Sequence, residues 1–222
     1  MRQLMDLAHT LSDVLPLHIL PPADKEELAR SMRLRLFDAD EVIFHAGDPA
    51  GDACVVFTGL VKVMLEDIDG REALVALHGR GEFFGELGLF SDEPRDATAI
   101  AVMSTQVFQL SRASCTTVIE RNAEARDWMF QHLARIIQQQ SERYGDMVFL
   151  DVSGRVAKYL LELGHIGGQL PITQEDLASA VGSTRATVNK LLADFERRGM
   201  LRVDRRRFEI VDQRALEAVV HH

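Results

Sequence analysis

Cysteine is almost absent: Cys54 and Cys115 are the only two in 222 residues. Two thiols cannot frame a disulfide scaffold or fill a four-cysteine metal site, so both are expected as small buried hydrophobes in a reducing compartment. Long apolar runs are missing too, since none approaches the ~20 residues that cross a bilayer. The opening stretch from Met1 to His9 is acidic and polar where a signal peptide needs an apolar core. A cytoplasmic protein without a membrane partner is expected. Among the eight histidines, His45, His78 and His132 are isolated and His221-His222 end the chain. None has metal-ligand spacing with Cys or another His, so no metal site is expected. No nucleophile–base pairing stands out either, which leaves no catalytic residue to nominate and argues against an enzyme.

Positive charge is scarce overall and concentrated locally. The formal net charge is −9, with 25 Lys and Arg against 34 Asp and Glu. Residues 1–150 hold 14 basic and 24 acidic side chains, a net of −10, whereas residues 151–222 hold 11 and 10, a net of +1. From Gly182 to Arg207 there are eight basic and three acidic residues, a net of +5. An acidic body with one basic element repels phosphate everywhere except at a docking face, a pattern consistent with a nucleic-acid partner.

Texture divides the chain into three parts. After a short helical start, Pro21-Pro22-Ala23-Asp24 leads into an amphipathic stretch from Lys25 to Met32. Between Leu34 and Leu110, β-type runs follow one another: 42–44, 54–57, 60–65, 73–77, 98–102 and 107–110. Glycine turns separate them at intervals of about 8 to 12 residues, which argues for a small barrel or jelly roll. No β–α–β alternation appears, so a parallel α/β sheet is excluded and the fold class is α+β. Ser111 to Glu120 reads as a short helix ending at Arg121-Asn122. From Ala123 to Met147 there is no proline, and Met129, Leu133, Ile136, Ile137, Tyr144 and Met147 recur at helical spacing. Such a helix packs on its own barrel or pairs with a second copy. Gln140 in line with the stripe favours a dimer seam, because a polar interruption sets register in paired helices. Asp151-Val152-Ser153-Gly154 reads as a hinge. The expected domains are therefore residues 1–122, a dimerisation helix over 123–150, and a small C-terminal domain over 151–222.

The C-terminal part carries the most specific local pattern. Thr173 is placed to cap a helix, with Asp176 three residues on as in a capping box. Leu177, Ala178 and Val181 form its apolar side, Gly182 makes a sharp turn, and Ser183 is expected to cap a second helix that stops at Gly199. Helix, glycine turn and capped helix is the helix-turn-helix pattern. On the second helix Val188, Leu191, Leu192 and Phe195 make a core stripe, leaving Arg185, Ala186, Asn189 and Lys190 on the open side. A recognition helix presents such side chains to base edges in the major groove. Arg185 suits guanine O6 and N7, while Thr173, Thr184 and Thr187 suit phosphate. The run from Leu201 to Ile210 alternates like a hairpin with Arg205, Arg206 and Arg207 at its tip, a wing that would touch phosphate.

Gly81-Glu82-Phe83-Phe84-Gly85-Glu86-Leu87-Gly88-Leu89-Phe90, followed by Pro94-Arg95-Asp96-Ala97-Thr98-Ala99, resembles the phosphate-binding cassette of cyclic-nucleotide-binding domains. With Phe149 to Arg155 at the hinge and Val181 to Val188 in the reader, the chain from about Leu15 to Val211 resembles the cyclic-AMP receptor protein/FNR family of bacterial transcription regulators. That resemblance implies a dimeric regulator on a palindromic operator, with RNA polymerase as a partner if it activates. It implies cyclic AMP or cyclic GMP as effector and no obligatory cofactor. Gly85, Glu86 and Leu87 would supply an anion nest and a ribose acceptor, Arg95 a phosphate partner, and Gln140 and Ser141 the helical wall of the pocket. Asp96 stands where the family has a small hydroxyl residue, and Gln140 replaces a threonine. Ala186 replaces a glutamate, so the operator should differ at that base pair. An iron–sulfur sensor needs cysteines in residues 1–50, and a haem sensor needs Cys and His where Gly85 and Leu87 stand. Two occupancies of the cassette stay open: a bound cyclic nucleotide, or an internal ion pair of Arg95 with Glu86 or Asp96. In the second case the protein would bind DNA without an effector or with a different one.

Overall fold

The computed structural model describes residues 20–166, 172–204 and 207–221. Helix α1 (Pro22–Ser31) begins with proline in its first turn, where a missing N–H costs nothing. Eight strands follow: β1 (Arg33–Phe37), β2 (Val42–Phe44), β3 (Asp52–Thr58), β4 (Val61–Glu66), β5 (Glu72–His78), β6 (Phe83–Phe84), β7 (Thr98–Ala101) and β8 (Thr105–Ser111). A one-turn helix, α2 (Leu87–Phe90), lies between β6 and β7. The strands form two four-stranded sheets, ordered β1-β8-β3-β6 and β2-β7-β4-β5. The expected α+β fold with a jelly-roll domain is what forms. Strand β1 lies outside the expected runs. It carries Arg33 and Arg35 between its apolar residues and pairs along its full length with β8.

Strand β3 explains why its sequence reads as one apolar run rather than an alternation. Ala53 and Val55 face a core built with Leu28, Phe108, Leu110, Cys115 and Val118, so α1 and α3 (Arg112–Arg121) cover that side. Cys54 and Val56 face a second core with Phe37, Val61, Phe84 and Val107. Both faces of the strand are therefore buried, and Val55 and Val56 have no exposed surface. Burying each fully contributes about 1.5–3 kcal/mol. Both cysteines are free and buried, as their scarcity suggested. Burial pushes each thiol up to about 12.

The chain divides into two compact units. One comprises residues up to Leu65 with Ala76–Ile136, and the other Glu66–Val75 with Ile137 onward. Helix α4 (Ala123–Phe149, 27 residues) runs from the first into the second. Its open apolar stripe matches the expected one only in part. Met129 is 6% exposed and belongs to the first unit's core, with Leu133 and Trp128 packed against it. The apolar residues left open include Phe130, Ile137 and Tyr144, exposed by 64%, 66% and 74% and spaced by sevens, with Met147 and Phe149 near the end of the helix. Ala134 and Ser141, also exposed, fall between them, and exposed Val148 follows four residues after Tyr144. Two apolar faces share this helix, and the one in its first turns packs on the barrel.

The expected hinge shrinks to Leu150-Asp151. Helix α5 (Val152–Ile166) already includes Ser153 and Gly154, and Asp151 Oδ1 caps it by accepting from the Gly154 N–H at 2.7 Å. Beyond it lie α6 (Gln174–Ala180), α7 (Arg185–Arg197), the hairpin β9 (Leu201–Asp204) with β10 (Arg207–Ile210), and α8 (Gln213–Val220). Val156, Leu160, Leu177, Val188, Leu192, Phe195 and Leu216 make the small core there.

Met129→Ala removes a methionine from a filled core and should destabilise by about 2–5 kcal/mol, read as a lower denaturant midpoint. In the native protein neither thiol should react with a disulfide reagent at neutral pH, and both should react once it is unfolded.

Candidate functional site

Gly85 sits at the turn between β6 and α2 with φ of +71°, a left-handed conformation that side chains rarely adopt. A Cβ there would also lie 2.8 Å from Nη1 of Arg95, and one on Gly88 would lie 2.8 Å from the same atom and 3.0 Å from the Asp52 carbonyl. The two glycines thus leave a passage that the arginine fills. Its backbone is fixed as well, the N–H donating to the Asp48 carbonyl at 2.9 Å and the carbonyl accepting from Gly47 at 2.8 Å.

Arg95 is 7% exposed. Nη1 donates to the Gly85 carbonyl at 2.8 Å and Nη2 to the Asp52 carbonyl at 2.8 Å. Nη2 also forms a close ion pair with the Asp52 carboxylate, whose other oxygen accepts from the Gln109 amide. The guanidinium carbon lies 4.2 Å from the centroid of the Phe44 ring, a cation–π contact in a dry setting. Nε is buried and has no partner among the described residues. Arg95, Asp52, Gln109, Arg35, Asp48 and Phe44 line a cavity of about 330 Å³ within the barrel. The internal partner of Arg95 is therefore Asp52, and neither Glu86 nor Asp96 fills that role.

Glu86 is 8% exposed. Burial pushes its carboxyl above the ordinary 4.5, and the charge of Asp96 adds to the rise, while its own backbone N–H and Arg95 work against it. Asp96 and Leu87 are exposed. Arg112 holds the cassette from outside: Nε donates to the Gly88 carbonyl at 3.0 Å, Nη2 to the carbonyls of Ser91 at 2.5 Å and Ala50 at 3.2 Å, and Nη1 pairs with Asp92. Gln140 and Ser141 are exposed on α4, and the Ser141 hydroxyl donates to the Ile137 carbonyl at 3.0 Å.

In the second unit, Thr173 and Asp176 form a reciprocal capping box at the start of α6. The Thr173 hydroxyl donates to Asp176 at 2.7 Å and accepts its N–H at 3.0 Å, so it is engaged within the chain. Gly182 makes the turn at φ +61° and opens the way into α7. Thr184 caps α7 rather than Ser183, accepting the Thr187 N–H at 3.2 Å, with the two threonine hydroxyls 2.9 Å apart. Arg185, Ala186 and Lys190 are exposed on the same helix. Asn189, expected beside them, is half-buried, and its Oδ1 is buried without a partner among the described residues. Arg205 and Arg206 of the wing lie outside the described residues, and Arg207 opens β10. Arg155 ties the reader to the end of α4 by donating to the carbonyls of Val181 and Leu150, each at 2.8 Å, and Lys158 pairs with Asp146 at 2.6 Å.

A cyclic nucleotide-binding domain model matches residues 34–122, and a Crp-like helix-turn-helix domain model matches residues 154–219. A CRP-like cAMP-activated global transcriptional regulator of Mycobacterium tuberculosis is 33% identical over 189 residues, covering 81% of this chain and 84% of its own. The cAMP-activated global transcriptional regulator CRP of Escherichia coli O157:H7 is 30% identical over 174 residues, covering 74% and 83%. The chain belongs to the cyclic-AMP receptor protein/FNR family. It is thus a DNA-binding transcription regulator of the effector-gated type and not an enzyme. A CRP/FNR-family regulator from Thermus thermophilus has the same fold at 27% identity, with a TM-score of 0.71 over 86% of this chain and 99% of that one. FixK2 from Bradyrhizobium japonicum shares the fold at 22% identity and a TM-score of 0.77, over 85% and 96%.

The family motif leads directly to Gly85, Glu86 and Arg95, but not to Asp52 or Arg112. Both lie outside the cassette, in β3 and at the start of α3, and reach it only through tertiary contacts. The sole sequence signal for Asp52 is a charge at the mouth of a buried strand, beside the Gly51 turn.

For the nucleotide-free protein the raised Glu86 value gives a signed expectation. The neutral acid supports the fold below the ordinary 4.5, and that support is lost as pH rises through the higher folded value. Glu86→Gln should therefore melt above wild type at neutral pH, the gap closing as the pH is lowered below 4.5. A gap independent of pH would mean that the carboxyl is not held in a desolvated place.

Proposed function

We propose that this regulator is a homodimer whose operator binding is gated by a cyclic nucleotide, with cyclic AMP as the effector. The observation that carries this is that a desolvated carboxyl, Glu86, follows a positive-φ glycine, Gly85, whose carbonyl accepts from the buried guanidinium of Arg95. Such a constellation suits a ligand with a sugar hydroxyl at one end and an anion at the other. Its relatives activated by cyclic AMP agree with it. Gly85 and Leu87 offer backbone N–H groups, Asp96 is a repulsive neighbour of the phosphate, and Gln140 and Ser141 are assigned to the effector on the resemblance alone.

One observation favours a second reading, a regulator that needs no nucleotide: Arg95 already has a carboxylate partner in Asp52. Calorimetric titration of nucleotide-stripped protein with cyclic AMP, followed by operator binding with and without it, separates the two. Saturable binding that strengthens operator affinity supports the gated regulator. Silence to millimolar ligand with intact operator binding supports the second reading.

The homodimer rests on the open face of α4. Phe130, Ile137 and Tyr144, with Ala134, Ser141 and Val148, give the alternating spacing of four and three that two helices bury between them. Residues 1–122 then sense, 123–150 pair, and 151–222 read DNA in the cytoplasm, with RNA polymerase as the further partner of an activator. In the reader we assign Arg185 and Lys190 to base edges, Ala186 to the floor of the groove, and Thr184, Thr187 and the wing arginines Arg205, Arg206 and Arg207 to phosphate.

Ile137→Glu with Tyr144→Glu should give monomers by light scattering while leaving the barrel folded. The same change at Leu133 should instead lower barrel stability. Arg185→Ala should lose about 1–3 kcal/mol of specific binding with little change on random DNA. Equal loss on both would reassign it to phosphate.

A further inference from the structure

We infer that Asp52 is a built-in competitor for the effector's anionic group and sets how tightly this protein holds its ligand, an inference that rests on the cyclic-nucleotide reading. The geometry of the guanidinium carries it. Nε and Nη2 lie along one edge of the planar group, the edge that a phosphate grips side-on with two parallel hydrogen bonds. Nε is buried and unpartnered among the described residues, whereas Nη2 is engaged twice by Asp52, through its carbonyl and its carboxylate. An anion arriving at that edge finds one donor free and one occupied by a negative charge. It must displace the Asp52 carboxylate or share Nη2 with it at close quarters, and like charges that near repel.

The carboxylate is also positioned so that it can let go. Asp52 has a second partner in the Gln109 amide, and its side chain is 26% exposed against 5% for Arg95. Released from the arginine, it keeps a hydrogen bond and has solvent within reach. Arg95 cannot move away to the same degree, being enclosed by Gly85, Gly88 and the face of Phe44. The exchange of partners therefore happens by the carboxylate leaving rather than the guanidinium. A ligand without an anion has no reason to drive it. Asp52 thus lowers the pocket's affinity for an anionic ligand while leaving that for a neutral one unchanged, and it supports Arg95 while the pocket is empty.

Asp52→Asn is nearly isosteric and removes the charge, and the Gln109 amide can turn to bond the new side chain. The full-length, nucleotide-stripped protein and this variant are titrated with cyclic AMP and, separately, with adenosine, which lacks the phosphate. Cyclic AMP should bind the variant on the order of 10-fold more tightly, adenosine equally to both, and the empty variant should melt below wild type. Asp52→Ala, followed in the same way, guards against a folding fault in the first variant. Unchanged or weaker cyclic AMP binding by the variants, with wild type binding normally, overturns the role of Asp52 and leaves the nucleotide reading intact. An equal gain for adenosine also overturns it, because the effect would then be one of shape rather than charge. Binding by the variants alone supports it most strongly. If none of the proteins binds cyclic AMP, the nucleotide reading falls and the competitor role falls with it.

Discussion

A guanidinium enclosed in a β-barrel must have its charge answered, and much of the first unit is arranged around that requirement. The desolvation of a buried guanidinium must be offset by partners. The fold offers the Gly85 carbonyl, the Asp52 carbonyl and carboxylate, and the Phe44 ring. Removing one member of a fully buried pair typically costs about 3–5 kcal/mol, and less where one partner reaches solvent as Asp52 does, so Asp52 contributes to the stability of the empty protein. The close passage of the side chain explains Gly85 and Gly88 together, since a methyl on either would collide with it. A cassette usually described as a ligand site is here also a piece of internal packing. On the proposed reading the same atoms serve stability when it is empty and recognition when it is filled.

Glu86 is the counterpart with the opposite sign of energetics. Arg95 has protein partners for both terminal nitrogens, whereas Glu86 is held in a place that disfavours its charge, with Asp96 nearby adding to the penalty. A buried carboxylate of this kind is stabilised by whatever donates to it, and a sugar hydroxyl is such a donor. Among the described residues Arg95 is paired at both terminal nitrogens but not at Nε, and the Glu86 carboxyl has its own backbone N–H as a donor.

Much of this was legible in the sequence. The strand runs, the glycine turns, the break at Arg121-Asn122 and the reader's glycine turn follow from period and turn chemistry, and the cassette is recognisable as a motif. What stayed hidden depends on three-dimensional neighbours. Arg95 had three carboxylates to choose from, and spacing favoured Glu86 or Asp96, whereas the barrel delivers Asp52 from β3. Helical spacing alone showed that α4 has an apolar face but not that it has two, so Met129 and Leu133 read as seam when they belong to the barrel. Ser183 and Thr184 are both able caps, and only backbone geometry selects Thr184. Ser153-Gly154 looks like a break, yet the Asp151 cap lets the helix begin before the glycine.

In the second unit, Arg155 and Lys158 fasten α5 and the turn before α7 to the end of α4, so the pose of the reading helix is coupled to a long helix rather than to a free linker. In the first, on the proposed reading, an exchange of partners at Arg95 links ligand to protein, and the Nε–H of that side chain reports on it directly. In nitrogen-15-labelled protein, the Arg95 Nε–H resonance, assigned by its loss in Arg95→Lys, is followed as cyclic AMP is added. In the empty protein the resonance should be that of a group without a hydrogen-bond acceptor. As the ligand saturates, it should shift and gain protection from solvent exchange, in step with release of the Asp52 carboxylate. Saturable binding that leaves the Arg95 Nε–H resonance and its exchange unchanged would mean that the guanidinium does not change partners at all.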